Sequence, residues 1–83
     1  MSLPTGWKEV DGRLMRAYEF PDFLSAKSFI DAVSEVCESH QHHAELHFGW
    51  GYVVIESYTH DSNSITAQDI ALANAINLLE TDA

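Results

Sequence analysis

The chain has 83 residues, 46% of them hydrophobic and 20% charged, with 13 acids against four Lys and Arg for a formal charge of −9. That length makes a single domain spanning 1–83 that buries somewhat over ~60% of its unfolded surface, and the composition lies far from that of disordered proteins. The basic residues Lys8, Arg13, Arg16 and Lys27 all precede Ser28, beyond which stand nine acids and no Lys or Arg, so the surface repels phosphate backbones and argues against direct nucleic-acid binding or a polyphosphate substrate.

Residues 7–10 form a short strand candidate, followed by Asp11-Gly12, a tight hairpin signal because glycine accepts positive φ without penalty. A second strand over 14–20 places Leu14, Arg16, Tyr18 and Phe20 on one face and Met15, Ala17 and Glu19 on the other. Pro21-Asp22 ends it and opens a helix with Asp22 as N-cap and Ser25 as the alternative. Ala26, Ile30, Val33 and Cys37 follow at 4-3-4 spacing, one core-facing stripe that Phe29 and Val36 widen. So broad a stripe on so small a core predicts that part of the helix faces another subunit. Cys37, the sole cysteine, reads as a buried, unreactive thiol, and with no disulfide, no leader-like start and no apolar run of ~20 residues the chain is expected to be a soluble cytoplasmic protein with no membrane partner.

Residues 44–48 and 52–59 read as two more strands joined around Gly49-Trp50-Gly51, and Tyr52-Val53-Val54-Ile55 favours a central position in the sheet. A polar turn over 61–64 leads to the last helix, with Thr66 as N-cap, Asp69 at the third helical position and Ile65 packing on Ile70. The order β-β-α-β-β-α predicts an α+β fold: a four-stranded antiparallel sheet with two helices packed on one face and the other face uncovered.

Five histidines occur, at 40, 42, 43, 47 and 60. In a hairpin turning near 49–51, positions 42–44 and 58–60 lie side by side, so His42, His43 and His60 converge at one end of the sheet. Three imidazoles support either proton transfer near neutrality or a metal. The metal reading lacks a second cysteine, a His-Glu-x-x-His helix or a regular ligand spacing. His40 and His47 read as ordinary polar residues.

Counting forward, Glu38, three residues, His42-His43-Ala44, five residues, Trp50, nine residues, His60, eight residues and Asp69 form a pattern that resembles the signature of the pterin-4a-carbinolamine dehydratase family: an acid, three residues, His-His-Pro, an aromatic, His and Asp at these separations. Gly6-Trp7, Gly12-Arg13, Thr59-His60-Asp61 and Ile65-Thr66 extend the resemblance over about residues 6–79. Ala44 replaces the usual proline, and Gln41 stands where relatives often carry an acid; the extra N-terminal helix of longer relatives is not expected here.

The resemblance implies dehydration of 4a-hydroxytetrahydrobiopterin to quinonoid dihydropterin and water, a hydro-lyase step in tetrahydrobiopterin recycling behind an aromatic amino acid hydroxylase, needing neither metal nor redox cofactor. It implies His42 and His60 in acid/base work at the 4a-hydroxyl and N5, His43 orienting the pterin, and Glu38 holding or charging a histidine. Gln41, Thr59 and Asp61 are implied as pterin contacts and Trp7 as an aromatic wall. Asp69 belongs to the same set, although an acid near the start of a capped helix is also explained by the helix dipole. The alternative is a pterin-binding or oligomerisation (coactivator) module of the same fold without turnover.

Overall fold

A computed structural model describes residues 3–79. Strands β1 (Lys8–Val10) and β2 (Arg13–Glu19) precede helix α1 (Phe23–His40), and strands β3 (Glu45–Gly49) and β4 (Tyr52–Ser57) precede α2 (Ala67–Leu79). The strands form one antiparallel sheet in the order β1-β2-β4-β3, with β4 inside it as its β-branched run predicts. The expected β-β-α-β-β-α architecture is what the chain adopts.

Turn chemistry sets the registers. Val10 opposes Arg13 across Asp11 and Gly12, whose φ values of 51° and 79° are the left-handed pair that a two-residue hairpin matching the strand twist requires. Gly49 opposes Tyr52 across Trp50-Gly51. Gly51 has φ 83°, and a Cβ there would lie 3.2 Å from the Phe20 carbonyl oxygen, while the Gly51 carbonyl accepts the Phe20 N–H at 2.9 Å. That bond lies one step beyond the last β2–β4 pair, Glu19 with Tyr52, and β2 ends at Glu19, one residue before the expected end.

Helix α1 starts where Asp22, in extended conformation, accepts the Ser25 N–H at 2.7 Å. Its buried residues are the predicted stripe, Ala26, Ile30, Val33 and Cys37. They meet Leu14, Val53 and Ile55 from the sheet and Leu72, Ala73 and Ile76 from α2 in one core. Phe29 and Val36, read as a possible subunit contact, pack at the core's edge within this chain, Phe29 with its ring 4.6 Å from that of Tyr18 and 5.3 Å from that of Phe20. Burial pushes the Cys37 thiol up, so it stays protonated near neutrality. No helix among the described residues is long and apolar enough to cross a membrane.

Trp7 is a core residue, 4% exposed. Its indole N–H donates to Asn77 Oδ1 at 2.9 Å, the same oxygen accepts from Arg16 at 2.6 Å, and Asn77 Nδ2 donates to the Thr5 carbonyl at 3.0 Å. This knot ties the segment before β1 to the end of α2. Asn77→Ala strands a buried N–H, so we expect a stability loss of about 1–3 kcal/mol with an unchanged m-value, measured by urea unfolding.

Candidate active site

Helix α1 ends on Gln41, which takes the left-handed conformation (φ 51°, ψ 38°). The Gln41 N–H bonds to the Glu38 carbonyl and the His42 N–H to the Cys37 carbonyl, both at 3.2 Å. This paired closure satisfies the last helical carbonyls and reverses the chain. The two histidines that follow diverge. His42 turns inward, with its side chain 11% exposed, and His43 turns outward, 62% exposed.

His42 Nε2 lies 2.6 Å from Asp69 Oδ1. Asp69 is fully buried yet surrounded by donors: Ser57 Oγ at 2.6 Å on Oδ1, and the Thr66 N–H at 2.8 Å and Thr59 Oγ1 at 2.9 Å on Oδ2. Burial alone would push its carboxyl up. The bonds from Ser57, His42, Thr66 and Thr59 outweigh that and hold it below the ordinary carboxylate range. Asp69 therefore serves twice, as the acid that reaches back to the Thr66 backbone at the start of α2 and as the partner of His42. An ionised carboxylate can only accept, so Nε2 is the protonated nitrogen of His42, and its neutral form carries the lone pair on Nδ1.

Strand β4 stops at Ser57 rather than continuing to 59, because Thr59 and Ser64 exchange backbone hydrogen bonds (2.8 and 3.4 Å) and close the loop before α2. His60 stands exposed on that loop with its ring centroid 4.5 Å from that of Tyr58. Tyr58 is in turn covered by the Arg13 guanidinium at 4.4 Å.

His42, His43 and His60 line a single cleft together with Gln41, Thr59, Asp61 and Gln68. Glu38 stands behind His43 and pairs with its Nε2. Asp69 lies beneath the cleft, reaching it through His42. Trp7, expected as an aromatic wall, does not line it, since the indole is consumed by the core and by Asn77. Trp50 is 72% exposed at the tip of the β3–β4 hairpin. Two residues escaped the sequence reading. Gln68 follows the N-cap of α2, with no signal beyond that position. Ser57 does carry one: it is a hydroxyl at the third inward position of a strand whose other inward residues are Val53 and Ile55.

Among the described residues, the side chains near enough to share an ion are Glu45, His47 and Glu56, with ligand atoms within 4.8 Å of one another. They lie on the sheet face away from the helices, and a cation is already supplied there: Arg13 Nη1 is 3.4 Å from Glu45 and 3.2 Å from Glu56, and His47 bonds Glu56 at 2.8 Å. Directly opposed acids on neighbouring strands need such neutralisation. The group reads as a surface ion-pair network.

Fold and cleft together define an α+β protein with a histidine-lined cleft where the helix-bearing face of an antiparallel sheet ends. The family model described as pterin 4 alpha carbinolamine dehydratase matches residues 1–79, and the chain belongs to that family. A relative from Haloarcula marismortui is 37% identical over 75 residues, covering 90% of this chain and 82% of its own. One from Prochlorococcus marinus (strain MIT 9313) is 41% identical over 75 residues, covering 90% and 78%. Both are provisionally named pterin-4-alpha-carbinolamine dehydratases. A solved structure from Brucella melitensis, described as a transcriptional coactivator/pterin dehydratase, superposes with a TM-score of 0.83 at 30% identity over 90% of this chain and 82% of that one. A pterin dehydratase-like RuBisCO assembly factor of the alpha-carboxysome shares the fold, with a TM-score of 0.70 at 20% identity over 88% and 84%.

Proposed function

We propose that the protein dehydrates 4a-hydroxytetrahydropterins, 4a-hydroxytetrahydrobiopterin in the recycling of tetrahydrobiopterin, to the quinonoid dihydropterin and water. The observation that carries this reading is the cleft in which His42, locked on a buried Asp69, faces the same space as His43 and His60. The reaction breaks the C4a–O bond and removes the N5 proton to leave a C4a=N5 double bond. A proton goes to the departing hydroxyl and one leaves N5, so no electrons are exchanged and two proton-transfer groups suffice.

His42 suits the base, because Asp69 holds its Nε2–H and leaves Nδ1 to accept the N5 proton. The imidazolium that results is stabilised by the same carboxylate. His60, braced against Tyr58, suits the acid that protonates the 4a-hydroxyl. His43, paired with Glu38 at the mouth, orients the pterin, and Gln41, Thr59, Asp61 and Gln68 supply polar contacts for its ring edge. The acidic surface suits a substrate without phosphates. We further propose a homodimer or homotetramer working behind an aromatic amino acid hydroxylase.

The test is turnover. The purified protein is expected to accelerate the loss of the 4a-hydroxypterin absorbance in a coupled hydroxylase assay over a protein-free control. Saturable pterin binding with no acceleration overturns the dehydratase reading in favour of a pterin-binding or assembly module.

A further inference from the structure

We propose that Ser57 is a positioning residue of this site, whose hydroxyl occupies the last acceptor position of the Asp69 carboxylate and thereby sets how strongly that carboxylate draws on His42; the inference rests on the dehydratase reading for its catalytic consequence only.

A carboxylate offers about four lone-pair sites. Asp69 has each taken by a close donor: Thr66 N–H and Thr59 Oγ1 on Oδ2, and His42 Nε2 and Ser57 Oγ on Oδ1. The two partners of Oδ1 are equally near, at 2.6 Å, so the Ser57 hydroxyl and the imidazole divide the charge of one oxygen. Orientation does not need Ser57, because Thr66 and Thr59 already clamp Oδ2 from the start of α2 and the loop before it. Ser57 is itself fully buried, where water does not readily replace a lost hydroxyl. An inward position flanked by Val53 and Ile55 has no packing need for a polar side chain. Its hydroxyl is explained by Asp69.

Without that hydroxyl the carboxylate loses one of the bonds that keep it ionised, and the charge on Oδ1 falls to His42 alone. Asp69 becomes more basic and holds a proton to higher pH, and a protonated Asp69 no longer holds the His42 Nε2–H as an ionised acceptor does. The other groups around the pair sit elsewhere and stay unchanged: His43 with Glu38 at the helix end, His60 and Asp61 on the loop before α2, and the protonated Cys37 thiol in α1.

The experiment compares the wild type with Ser57→Ala and with Ser57→Cys, which keeps nearly the same volume but donates weakly. The Asp69 carboxyl carbon is titrated by NMR in labelled protein, and kcat and KM are measured across pH. In Ser57→Ala the Asp69 midpoint is expected to rise by about half a unit or more, and the acidic limb of kcat/KM to move in the same direction, with KM at the optimum within twofold. Ser57→Cys is expected between the two, and decides the matter alone if Ser57→Ala does not fold. A folded variant whose Asp69 midpoint is unmoved or lowered overturns the proposal, as does lost activity with an unshifted pH profile. Absence of turnover in the wild type overturns the dehydratase reading instead, and leaves the Asp69 titration to decide the role of Ser57.

Discussion

Replacing His42 with alanine is expected to lower kcat by ~10²–10⁴, the usual worth of one positioned proton transfer, while near-UV circular dichroism stays that of the folded protein. The size follows from how the ring is held. Its side chain is 11% exposed and one nitrogen is committed to an ionised carboxylate, so the remaining nitrogen is fixed in direction and carries the lone pair of the neutral ring, and water entering the vacated space reproduces neither. His43 offers the control. Its side chain is 62% exposed and pairs with an exposed Glu38, so His43→Ala is expected to act mainly on KM, by roughly tenfold, the worth of a single polar ligand contact. Steady-state kinetics of both variants check the contrast, and a His42→Ala enzyme within threefold of wild-type kcat removes His42 from the chemistry.

Asp69→Ala is expected to cost both activity and about 3–5 kcal/mol of stability, because it leaves buried donors on Ser57, Thr59 and Thr66 without their acceptor and opens a hole beside the core. For a domain of this size that is a large share of the total. Asp69→Asn keeps the shape but puts amide hydrogens where some of those donors point, so its loss is smaller and still substantial. The pH dependence has a definite sign. Asp69 is held below its unfolded value, so its contribution is fully present above about pH 4 and is lost as pH falls from there through the folded value. Urea unfolding across that window is expected to show the wild type losing stability faster on acidification than Asp69→Asn. Parallel curves would mean that the carboxylate is not the group responsible.

The fold was legible where one residue type dominates local geometry: Asp11-Gly12 for the hairpin, Asp22 for the helix start, and the spacing from Ala26 to Cys37 for the buried face. Strand ends were less so, since they depend on backbone pairing that no residue type announces, as when Ser64 closes on Thr59. In the site, adjacency and hairpin register brought the three histidines to one cleft. Trp7 was misread because an aromatic near a ligand motif and an aromatic in a core look alike until Asn77, 70 positions away, is seen to meet its N–H. Ser57 has a signal in its inward place after Val53 and Ile55, but that alternation gives no reason for a hydroxyl there, and only the neighbouring carboxylate supplies one.

The knot of Trp7, Arg16, Asn77 and Thr5 has a kinetic consequence. Its ends, Thr5 and Asn77, are 72 residues apart, so closing it early would carry the full chain-entropy cost of that loop, whereas once the sheet has paired and both helices have docked the groups already adjoin. It is therefore expected to form on the native side of the folding barrier. Loosening it through Asn77→Ala is expected to speed unfolding while leaving the refolding rate nearly unchanged, as stopped-flow chevrons would register. The contact joining the two extremes of the described chain thus acts as a brake on escape from the native state and takes little part in reaching it.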